Sequence, residues 1–323
     1  MSARIAAVGA GRMGRGIALA FAYGGYEVDV IDLKPRAGPA WAQLEREARE
    51  EMAASLATLA DLGAMPAEAV ERVLARIRLV PESDAAPALR SAEVIFEAVT
   101  ETIEAKRDVL ARICALAPQE AILASTTSTV LVTDLVPLVT HAERLANAHW
   151  LNPAYVIPLV ELSAHPGTSA EVVARLRLLL EDIGKVPVLC GATAGYIVPR
   201  LQALIMNEAA RMVEEGVAPE EIDKATRYGL GLRFAALGVV EFIDYGGNDI
   251  LYYASRYLAE RVSRERYTPP AIVERLMHEG RIGLKSGEGF YDYRGRDVAA
   301  YRKDALARVL GMLRHAGLYR PPR

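Results

Sequence analysis

The chain has few cysteines, no excess of positive charge and no long apolar run. Only two of its 323 residues are cysteines, Cys114 and Cys190. Both lie in apolar surroundings without metal-ligand spacing, which indicates buried thiols in a reducing cytoplasm. The net charge is −3 and no basic run reaches five residues, so we expect no nucleic-acid partner. Charges interrupt every apolar stretch before the roughly 18 residues that a membrane-spanning helix needs, so we expect no membrane partner either.

The remaining composition is that of a soluble globular protein. Hydrophobic residues make up 52% of the chain and charged residues 24%. A chain of this length can bury a sizeable core, and its length predicts two domains. The N-terminal stretch MSARIAAVGAGRMG is apolar with an early arginine and could mimic a signal peptide. We interpret it instead as a first β-strand that leads into a glycine-rich turn.

That turn has the G-x-G-x-x-G spacing between a predicted strand and a predicted helix. Gly9 allows the tight turn, Gly11 lets the backbone approach a pyrophosphate, and Gly14 lets the helix pack close to the strand. The helix N-terminus then offers N–H groups to the phosphates. A second predicted strand ends at Asp32, where an acceptor for a ribose 2′-hydroxyl belongs. The predicted dinucleotide site comprises Gly9, Gly11, Arg12, Met13, Gly14 and Asp32.

The charges after the second strand bear on the choice of dinucleotide. Asp32 repels a 2′-phosphate, so NAD is favoured over NADP. Lys34 and Arg36 follow directly and weaken that preference. The alternative is that both are solvated loop charges.

Strand and helix patterns alternate through the first part of the chain and give way to helices after Gly195. The predicted strands are Arg4–Val8, Tyr26–Ile31, Arg78–Val80, Val94–Glu97, Ala121–Ser125 and Val186–Cys190, and the main helices between them are Ile103–Leu116, Thr133–Val139 and Ser169–Gly184. This predicts an α/β fold with a doubly wound, Rossmann-type parallel sheet. We expect a domain over residues 1–190 for the dinucleotide and an all-α domain over residues 191–323.

Two helices between the second and third strands make an unusually long connection. They are predicted from Pro39 to about Gly63 and from Pro66 to about Ile77. We interpret them as a helical hairpin that projects from the first domain. The alternative is a plain elaboration of the crossover.

Polar residues follow three of the predicted strands. Ligands of such sheets bind at the carboxyl ends of the strands. Glu97 to Glu101 follow the fourth strand, Ser125 to Ser128 follow the fifth, and His149 follows the sixth. The hydroxyl-rich turn could be a helix cap or a contact to substrate or nicotinamide.

A histidine and a glutamate lie on two short predicted strands, Leu145–His149 and Val160–Leu162, joined by a loop at Asn152-Pro153. This arrangement could bring the Glu161 carboxylate against the His149 imidazole. Such a carboxylate fixes the tautomer of the ring and raises its basicity, as a general base needs. The alternative is a structural histidine and a solvated glutamate.

The second half reads as helices at about 196–216, 219–229, 247–262, 269–278 and 298–314. Asn207 lies among apolar neighbours, and a buried amide there would need substrate or backbone as its partner. These helices are too apolar for a small domain alone, so we expect them also to bury surface in a homodimer.

Several ordered stretches resemble the 3-hydroxyacyl-CoA dehydrogenase family over nearly the full chain. They are GAGRMGRGIA, IDLKP, FEAVTE, ASTTST, AHWLNP with VEL, GYIVPR with MNEAARMVEEGVA, and IGLKSGEGFYDY. The resemblance implies an NAD-binding domain followed by a helical dimerisation domain. It implies that His149 and Glu161 form the catalytic dyad, that Ser128 touches the substrate hydroxyl and the nicotinamide, and that Asn207 binds the reacting oxygen. The residues implied to line the NAD site are Glu101, Lys106, Asn152 and Lys285.

Departures from the family pattern leave the substrate open. The family's SNTSS turn is STTST here, and its G-F-I-x-N-R stretch is GYIVPR. The hairpin keeps a serine, Ser55, but has Leu62 where acyl-CoA enzymes carry a lysine for CoA phosphates; Arg46 and Arg49 could compensate. GLGLRFA is similar to the lambda-crystallin/gulonate and carnitine dehydrogenase branches, whose substrates are small free acids. Arg233 in that stretch could clamp a substrate carboxylate, or could be a surface or interface arginine.

The resemblance thus implies reversible hydride transfer between NAD and the 3-hydroxyl carbon of a small-molecule substrate. A short-chain 3-hydroxyacyl-CoA such as 3-hydroxybutyryl-CoA is expected first. A small free hydroxy or keto acid, or a related imine, is the alternative within this class. A non-catalytic, crystallin-like NAD-binding protein is the alternative outside it.

Overall fold

The structure is a computed structural model that describes residues 3–322. The chain divides after Met206 into two compact units. The strands of the first unit are β1 Ile5–Val8, β2 Val28–Ile31, β3 Ile77–Val80, β4 Val94–Glu97, β5 Ile122–Ser125, β6 Leu145–Trp150, β7 Leu159–Ala164 and β8 Val186–Cys190. They form one sheet in the order β3-β2-β1-β4-β5-β6-β7-β8.

The sheet is parallel except where β7 runs antiparallel to β6. From β1 the chain builds outward through β2 and β3, then crosses back to place β4 on the other side of β1. Such a reversal opens a crevice at the carboxyl ends of the strands, where these folds bind ligands. The strands β1, β4 and β5 are buried along their whole length, because helices cover both faces of the sheet.

Helices of the first unit pack in two layers. They are α1 Arg12–Tyr23, α2 Gly38–Asp61, α3 Ala69–Leu74, α4 Ala85–Ser91, α5 Ile103–Leu116, α6 Val132–Leu135 and α7 Ala170–Asp182. Side chains of α1, α2, α3 and α7 share one apolar cluster, and those of α4, α5 and α6 share another. In α2, Ala48, Met52 and Leu56 are four residues apart, so they form one buried stripe along the helix.

The second predicted helix of the hairpin is longer than the one observed. Residues from Pro66 to Ile77 were expected to be helical, but α3 covers only Ala69–Leu74 and Ile77 already begins β3. Ile77 is apolar and β-branched, so it pairs with Val28 of β2 instead of extending the helix.

The division between the units falls within α8, Val198–Glu214. The helices that follow are α9 Pro219–Ala225, α10 Leu232–Ala236, α11 Val239–Gly246, α12 Asn248–Arg261, α13 Arg264–Tyr267, α14 Ala271–His278 and α15 Val298–His315. The predicted doubly wound α/β fold with a helical C-terminal part is confirmed. The boundary near residue 190 remains a prediction.

The sequence pattern missed two features between α9 and α12. Residues 226–231 form a π-helical turn, and the predicted helix over 219–229 therefore continues through it into α10. The short helix α11 was not predicted at all. Its β-branched Val239 and Val240 have low helix propensity, so local pattern does not favour a helix there.

The cysteines are half-buried rather than buried as predicted. Burial, followed by the charge of Glu161, raises the pKa of the Cys190 thiol to about 11, so this thiol stays protonated at neutral pH. Within residues 3–322, no group of three or more His, Cys, Asp or Glu side chains is placed to hold a metal ion. No helix in this same range has the length and apolarity to cross a membrane.

Candidate functional site

The glycine-rich turn between β1 and α1 has two positions without room for a side chain and one that borders open space. A Cβ on Gly9 would lie 2.5 Å from the carbonyl oxygen of Ala98, and one on Gly14 would lie 1.9 Å from the carbonyl oxygen of Gly9. A Cβ on Gly11 would meet nothing within 4 Å. The backbone at Gly11 is therefore uncovered at the N-terminus of α1, as the approach of a pyrophosphate requires. The turn fits NAD.

A cavity of about 410 Å³ lies beside this turn, where Asp32, Lys34 and Arg36 follow β2. The buried Asp32 carboxylate accepts a hydrogen bond from the backbone N–H of Lys34, at 3.3 Å, and another from Nε of Arg36. The predicted ribose acceptor is therefore already paired with a cation. Arg36 is an exposed loop residue, as the solvated interpretation expects, but its guanidinium also binds Asp32 at the cavity.

We expect the Arg36→Ala variant to discriminate more strongly against NADP than the unchanged protein does. The guanidinium offsets the Asp32 charge that repels a 2′-phosphate, and it could also pair with that phosphate. Its removal should lower kcat/KM for NADP by about 10-fold and change the value for NAD by about 3-fold or less. Steady-state kinetics with both dinucleotides give the ratio.

The matched control is Arg177→Ala, because Arg177 pairs with Glu181 at the same i, i+4 separation on α7. That variant should keep the ratio of the unchanged protein. An NAD to NADP ratio that stays constant in Arg36→Ala would show that the pair does not govern cofactor choice.

A smaller cavity of about 170 Å³ adjoins the N-terminus of α1. Arg12, Ser55 and Asn152 are among its lining residues. The Ser55 hydroxyl donates to the carbonyl oxygen of Glu51 at 2.9 Å, and the Glu51 carboxylate pairs with Arg15. Three of the residues predicted to contact cofactor or substrate thus share one cavity. Among the other predicted cofactor residues, Met13 is partly buried and its side chain packs against an apolar cluster.

A buried ion pair follows β4. The Lys106 ammonium is fully buried and lies 3.0 Å from each carboxylate oxygen of Glu97 and 3.5 Å from Glu101. The Ser125 hydroxyl donates to Glu97 from the neighbouring strand. These contacts tie β4, β5 and α5 together at the carboxyl edge of the sheet. The Lys106 ammonium is paired with the carboxylates of Glu97 and Glu101. Its implied position beside NAD remains a prediction.

The hydroxyl-rich turn after β5 closes around Glu101. One Glu101 oxygen accepts hydrogen bonds from the Thr127 hydroxyl, from the backbone N–H of Ser128 at 2.8 Å, and from the N–H and hydroxyl of Thr129, both at 3.0 Å. Burial acts to raise the pKa of Glu101, but these hydrogen bonds and Lys106 outweigh it and hold the pKa below its usual value. The charged carboxylate thereby fixes the turn that carries Ser128.

His149 and Glu161 lie opposite each other on the antiparallel strands β6 and β7. Nδ1 of His149 is 2.9 Å from Oε2 of Glu161, and the carboxylate is fully buried. The other oxygen, Oε1, accepts the backbone N–H groups of Ile197 and Val198 at 2.9 and 2.8 Å. The predicted contact is present, and the alternative of a solvated glutamate is wrong. With Nδ1 donating to the carboxylate, Nε2 is the ring nitrogen that can take a proton.

Tyr196 was not recognised from the sequence, although it lies in the GYIVPR stretch. Its ring stacks on the His149 imidazole, with centroids 5.1 Å apart. Its hydroxyl donates to the carbonyl oxygen of Thr127 at 2.9 Å. The tyrosine therefore contacts both the histidine and the hydroxyl-rich turn. A tyrosine directly after a glycine turn carries no signal of such a role, because the contact depends on how the chain returns to the sheet.

The second unit carries the other predicted site residues. Asn207 is exposed on α8, so its amide has no need of the buried partner that was expected. Arg233 is exposed too; its Nε donates to the carbonyl oxygen of Gly229 at 2.7 Å, and its guanidinium lies 5.0 Å from the Phe242 ring centroid. The Lys285 ammonium lies 3.2 Å from each carboxylate oxygen of Asp249.

The loop that carries Lys285 is anchored by an aspartate that the sequence did not single out. Asp244 is fully buried on α11, and its carboxylate accepts the backbone N–H groups of Phe290 at 3.0 Å and Tyr291 at 2.8 Å. Its carbonyl oxygen accepts the N–H of Leu284 at 2.9 Å. The backbone around Lys285 is therefore held at both ends of the loop.

Comparison with known proteins identifies two matching family models along the chain. Residues 4–193 match the model described as 3-hydroxyacyl-CoA dehydrogenase, NAD binding domain, and residues 195–293 match the corresponding C-terminal domain. Both predicted parts of the chain are therefore represented in one family.

Curated relatives and solved structures are similar over most of the chain. The 3-hydroxyadipyl-CoA dehydrogenase of Escherichia coli K12 is 34% identical over 94% of the chain, which spans only 62% of that protein. The 5-formyl-3-hydroxy-2-methylpyridine 4-carboxylate 5-dehydrogenase of Mesorhizobium japonicum is 32% identical over 97% of this chain and 98% of its own. A 3-hydroxyacyl-CoA dehydrogenase structure from Archaeoglobus fulgidus superposes with a TM-score of 0.77 and 31% identity, covering 98% of this chain and all of that one.

Proposed function

Because the chain belongs to the 3-hydroxyacyl-CoA dehydrogenase family, whose enzymes use NAD, we propose that it reversibly oxidises the 3-hydroxyl group of a short-chain L-3-hydroxyacyl-CoA. Substrates of the 3-hydroxybutyryl-CoA type are expected. The observation that carries the proposal is the buried contact of His149 with Glu161. Oxidation of an alcohol needs a base for the hydroxyl proton, and this pair has the arrangement of an oriented general base.

Each protein group has a distinct part in the proposed reaction. Nε2 of His149 takes the hydroxyl proton, and the Glu161 carboxylate stabilises the imidazolium that results. Ser128 and Asn207 are proposed to hold the reacting oxygen, so that the proton and hydride paths are aligned. Bound NAD supplies the hydride acceptor. The turn around Gly11 is proposed to bind the pyrophosphate of NAD, and the carboxylate of Asp32 is proposed to bind its ribose.

A small free acid is the second candidate substrate, because cations are scarce where CoA phosphates were expected to bind. Leu62 occupies the position of the expected lysine and is 76% exposed, and Arg49 is already paired with Glu45 at 3.2 Å. The relative from Mesorhizobium japonicum is named for a pyridine carboxylate. Arg233 remains the proposed clamp for a substrate carboxylate in this case.

A third candidate is a crystallin-like protein that binds NAD without turnover. The buried His149–Glu161 pair argues against it. Burying a carboxylate costs free energy unless hydrogen bonds offset that cost. Here the hydrogen bonds that offset it also arrange the pair for proton transfer.

A panel of substrates separates the three candidates. NADH absorbance would be followed with acetoacetyl-CoA, acetoacetate and other free keto acids. We expect kcat/KM for acetoacetyl-CoA to exceed the values for the free acids by about 10²-fold or more, as when remote binding energy contributes to catalysis. Higher kcat/KM for the free acids would replace the proposal by the second candidate. NAD binding without turnover of any 3-hydroxy or 3-keto compound would favour the third.

We also propose a homodimer formed through the C-terminal helices. Large apolar side chains that are exposed in the second unit support it. They include Met212, Val213, Ile250, Tyr253, Tyr257 and Leu306. Sedimentation equilibrium measures the mass directly, and a single-chain mass at micromolar concentration would contradict the dimer.

A further inference from the structure

Tyr196 has a backbone conformation that few side chains adopt. Its φ is 43°, in the left-handed region, and the only other non-glycine residue with positive φ in residues 3–322 is His141. This conformation is unfavourable for a residue with a Cβ, so surrounding contacts must hold it. Tyr196 is only 7% exposed, and its hydrogen bonds and ring stacking involve Asn147, Thr127 and His149 of the first unit.

The tyrosine ring covers one face of the His149 imidazole. The two ring planes differ by 3° and their centroids are 5.1 Å apart. The contact of Nδ1 with Glu161 fixes one edge of the imidazole, but a single edge contact still allows the ring to tilt out of plane. A parallel ring against its face restricts that tilt. The Glu161 contact and the tyrosine ring together therefore set the direction in which Nε2 of His149 points.

The tyrosine hydroxyl connects the histidine to the turn that carries Ser128. It donates to the carbonyl oxygen of Thr127, directly before Ser128, at 2.9 Å and accepts from the Asn147 amide at 2.9 Å. Thr127 and Asn147 are both fully buried. Burial raises the pKa of the Tyr196 phenol above its ordinary value, so the hydroxyl stays protonated and keeps donating.

The residues after Tyr196 hold the second member of the pair. The N–H groups of Ile197 and Val198 donate to the Glu161 oxygen that does not face the histidine. A single segment, residues 196–198, therefore fixes the imidazole face, the carboxylate and the hydroxyl-rich turn together. We propose that Tyr196 is a positioning residue: its ring holds the plane of the His149 imidazole, and its hydroxyl sets the distance between that ring and Ser128. This inference rests on the proposed function.

Two substitutions separate the part of the ring from that of the hydroxyl. Tyr196→Phe keeps the stacked ring and loses both hydrogen bonds, and we expect kcat to fall by about 3- to 10-fold. Tyr196→Leu loses the ring as well, and we expect a fall of about 10²-fold, as for reacting groups displaced by about an ångström. KM for NAD should change by less than about 2-fold in both variants. The deuterium isotope effect on kcat should rise, because hydride transfer becomes slower relative to product release.

Tyr26→Phe is the matched control, because the Tyr26 hydroxyl donates to Asp182 at 2.6 Å and its ring packs on Phe21, outside the site. It should change neither kcat nor the isotope effect. A Tyr196→Leu protein with unchanged kcat and isotope effect would overturn the inference. If that variant does not fold, Tyr196→Phe decides: kcat and an isotope effect equal to those of Tyr26→Phe would overturn the part of the hydroxyl.

Proton NMR of the histidine ring gives a readout that does not require turnover. The stacked tyrosine should move the His149 ring proton signals upfield by its ring current, and Tyr196→Leu or Tyr196→Ala should remove this shift. If the unchanged protein oxidised no substrate, the proposed function would be overturned. The ring-current shift would still test the contact between Tyr196 and His149. Histidine signals that are the same in the unchanged protein and in a folded Tyr196→Leu or Tyr196→Ala variant would refute the stacking itself.

Discussion

The His149→Gln variant should lose about 10²- to 10⁴-fold in kcat, which is the usual contribution of a general base. Glutamine is similar in size and can still contact Glu161, but its amide takes up no proton at neutral pH. NAD is proposed to bind at the glycine turn, so its dissociation constant should change by less than about 3-fold. Stopped-flow measurement of NADH formation at saturating substrate, with NAD binding followed by fluorescence, tests both expectations.

The chain offers a matched control for this substitution at its surface. His141 contacts Glu143 through the same ring nitrogen, Nδ1, at 3.2 Å, and both side chains are exposed. The His141→Gln variant should therefore keep the kcat of the unchanged protein. Undiminished turnover in a folded His149→Gln protein would rule out the proposed base.

The Glu161→Gln variant should lower kcat by a similar factor, about 10²- to 10⁴-fold, for a different reason. The backbone N–H groups of Ile197 and Val198 need an acceptor, so the glutamine must turn its amide oxygen toward them. Its NH₂ group then faces Nδ1 of His149, which can accept only if the ring proton moves to Nε2. The nitrogen that should take the substrate proton is then occupied.

This wrong tautomer predicts a distinctive pH behaviour. Raising the pH should not restore kcat in Glu161→Gln, because the neutral ring itself carries its proton on the wrong nitrogen. Glu143→Gln, which alters the exposed pair, serves as the control. If Glu161→Gln regained the full kcat of the unchanged protein at higher pH, the carboxylate would act through charge alone and the tautomer argument would fail.

Local pattern was sufficient to predict much of the sheet. The predicted bounds of β4, α5 and β8 agree with those observed. Apolar runs bounded by polar residues are informative in parallel sheets, because these strands are buried on both faces. Two short strands joined by a loop showed that His149 could contact Glu161, but they left the alternative of a structural histidine and a solvated glutamate open, and the family resemblance favoured the contact.

Features that depend on the folded conformation were not predictable. Arg36 reads as an ordinary loop cation, and only the folded loop shows it bound to Asp32. Asn207 was expected to need a partner because of its apolar neighbours, but those neighbours are themselves exposed on α8. Tyr196 meets His149 across 47 positions of sequence. In each case the contact or the exposure is set by the folded conformation, on which local periodicity carries no information.

Residues 196–198 lie beyond the domain boundary predicted near residue 190, yet they bind side chains on β6 and β7. As the chain leaves the ribosome, the strands that carry His149 and Glu161 are made before the segment that covers them. A nascent or truncated chain ending at residue 190 would hold every strand of the sheet, with the imidazole uncovered and one carboxylate oxygen lacking its two donors. The whole sheet is therefore synthesised before the segment that completes the contacts of the histidine–glutamate pair.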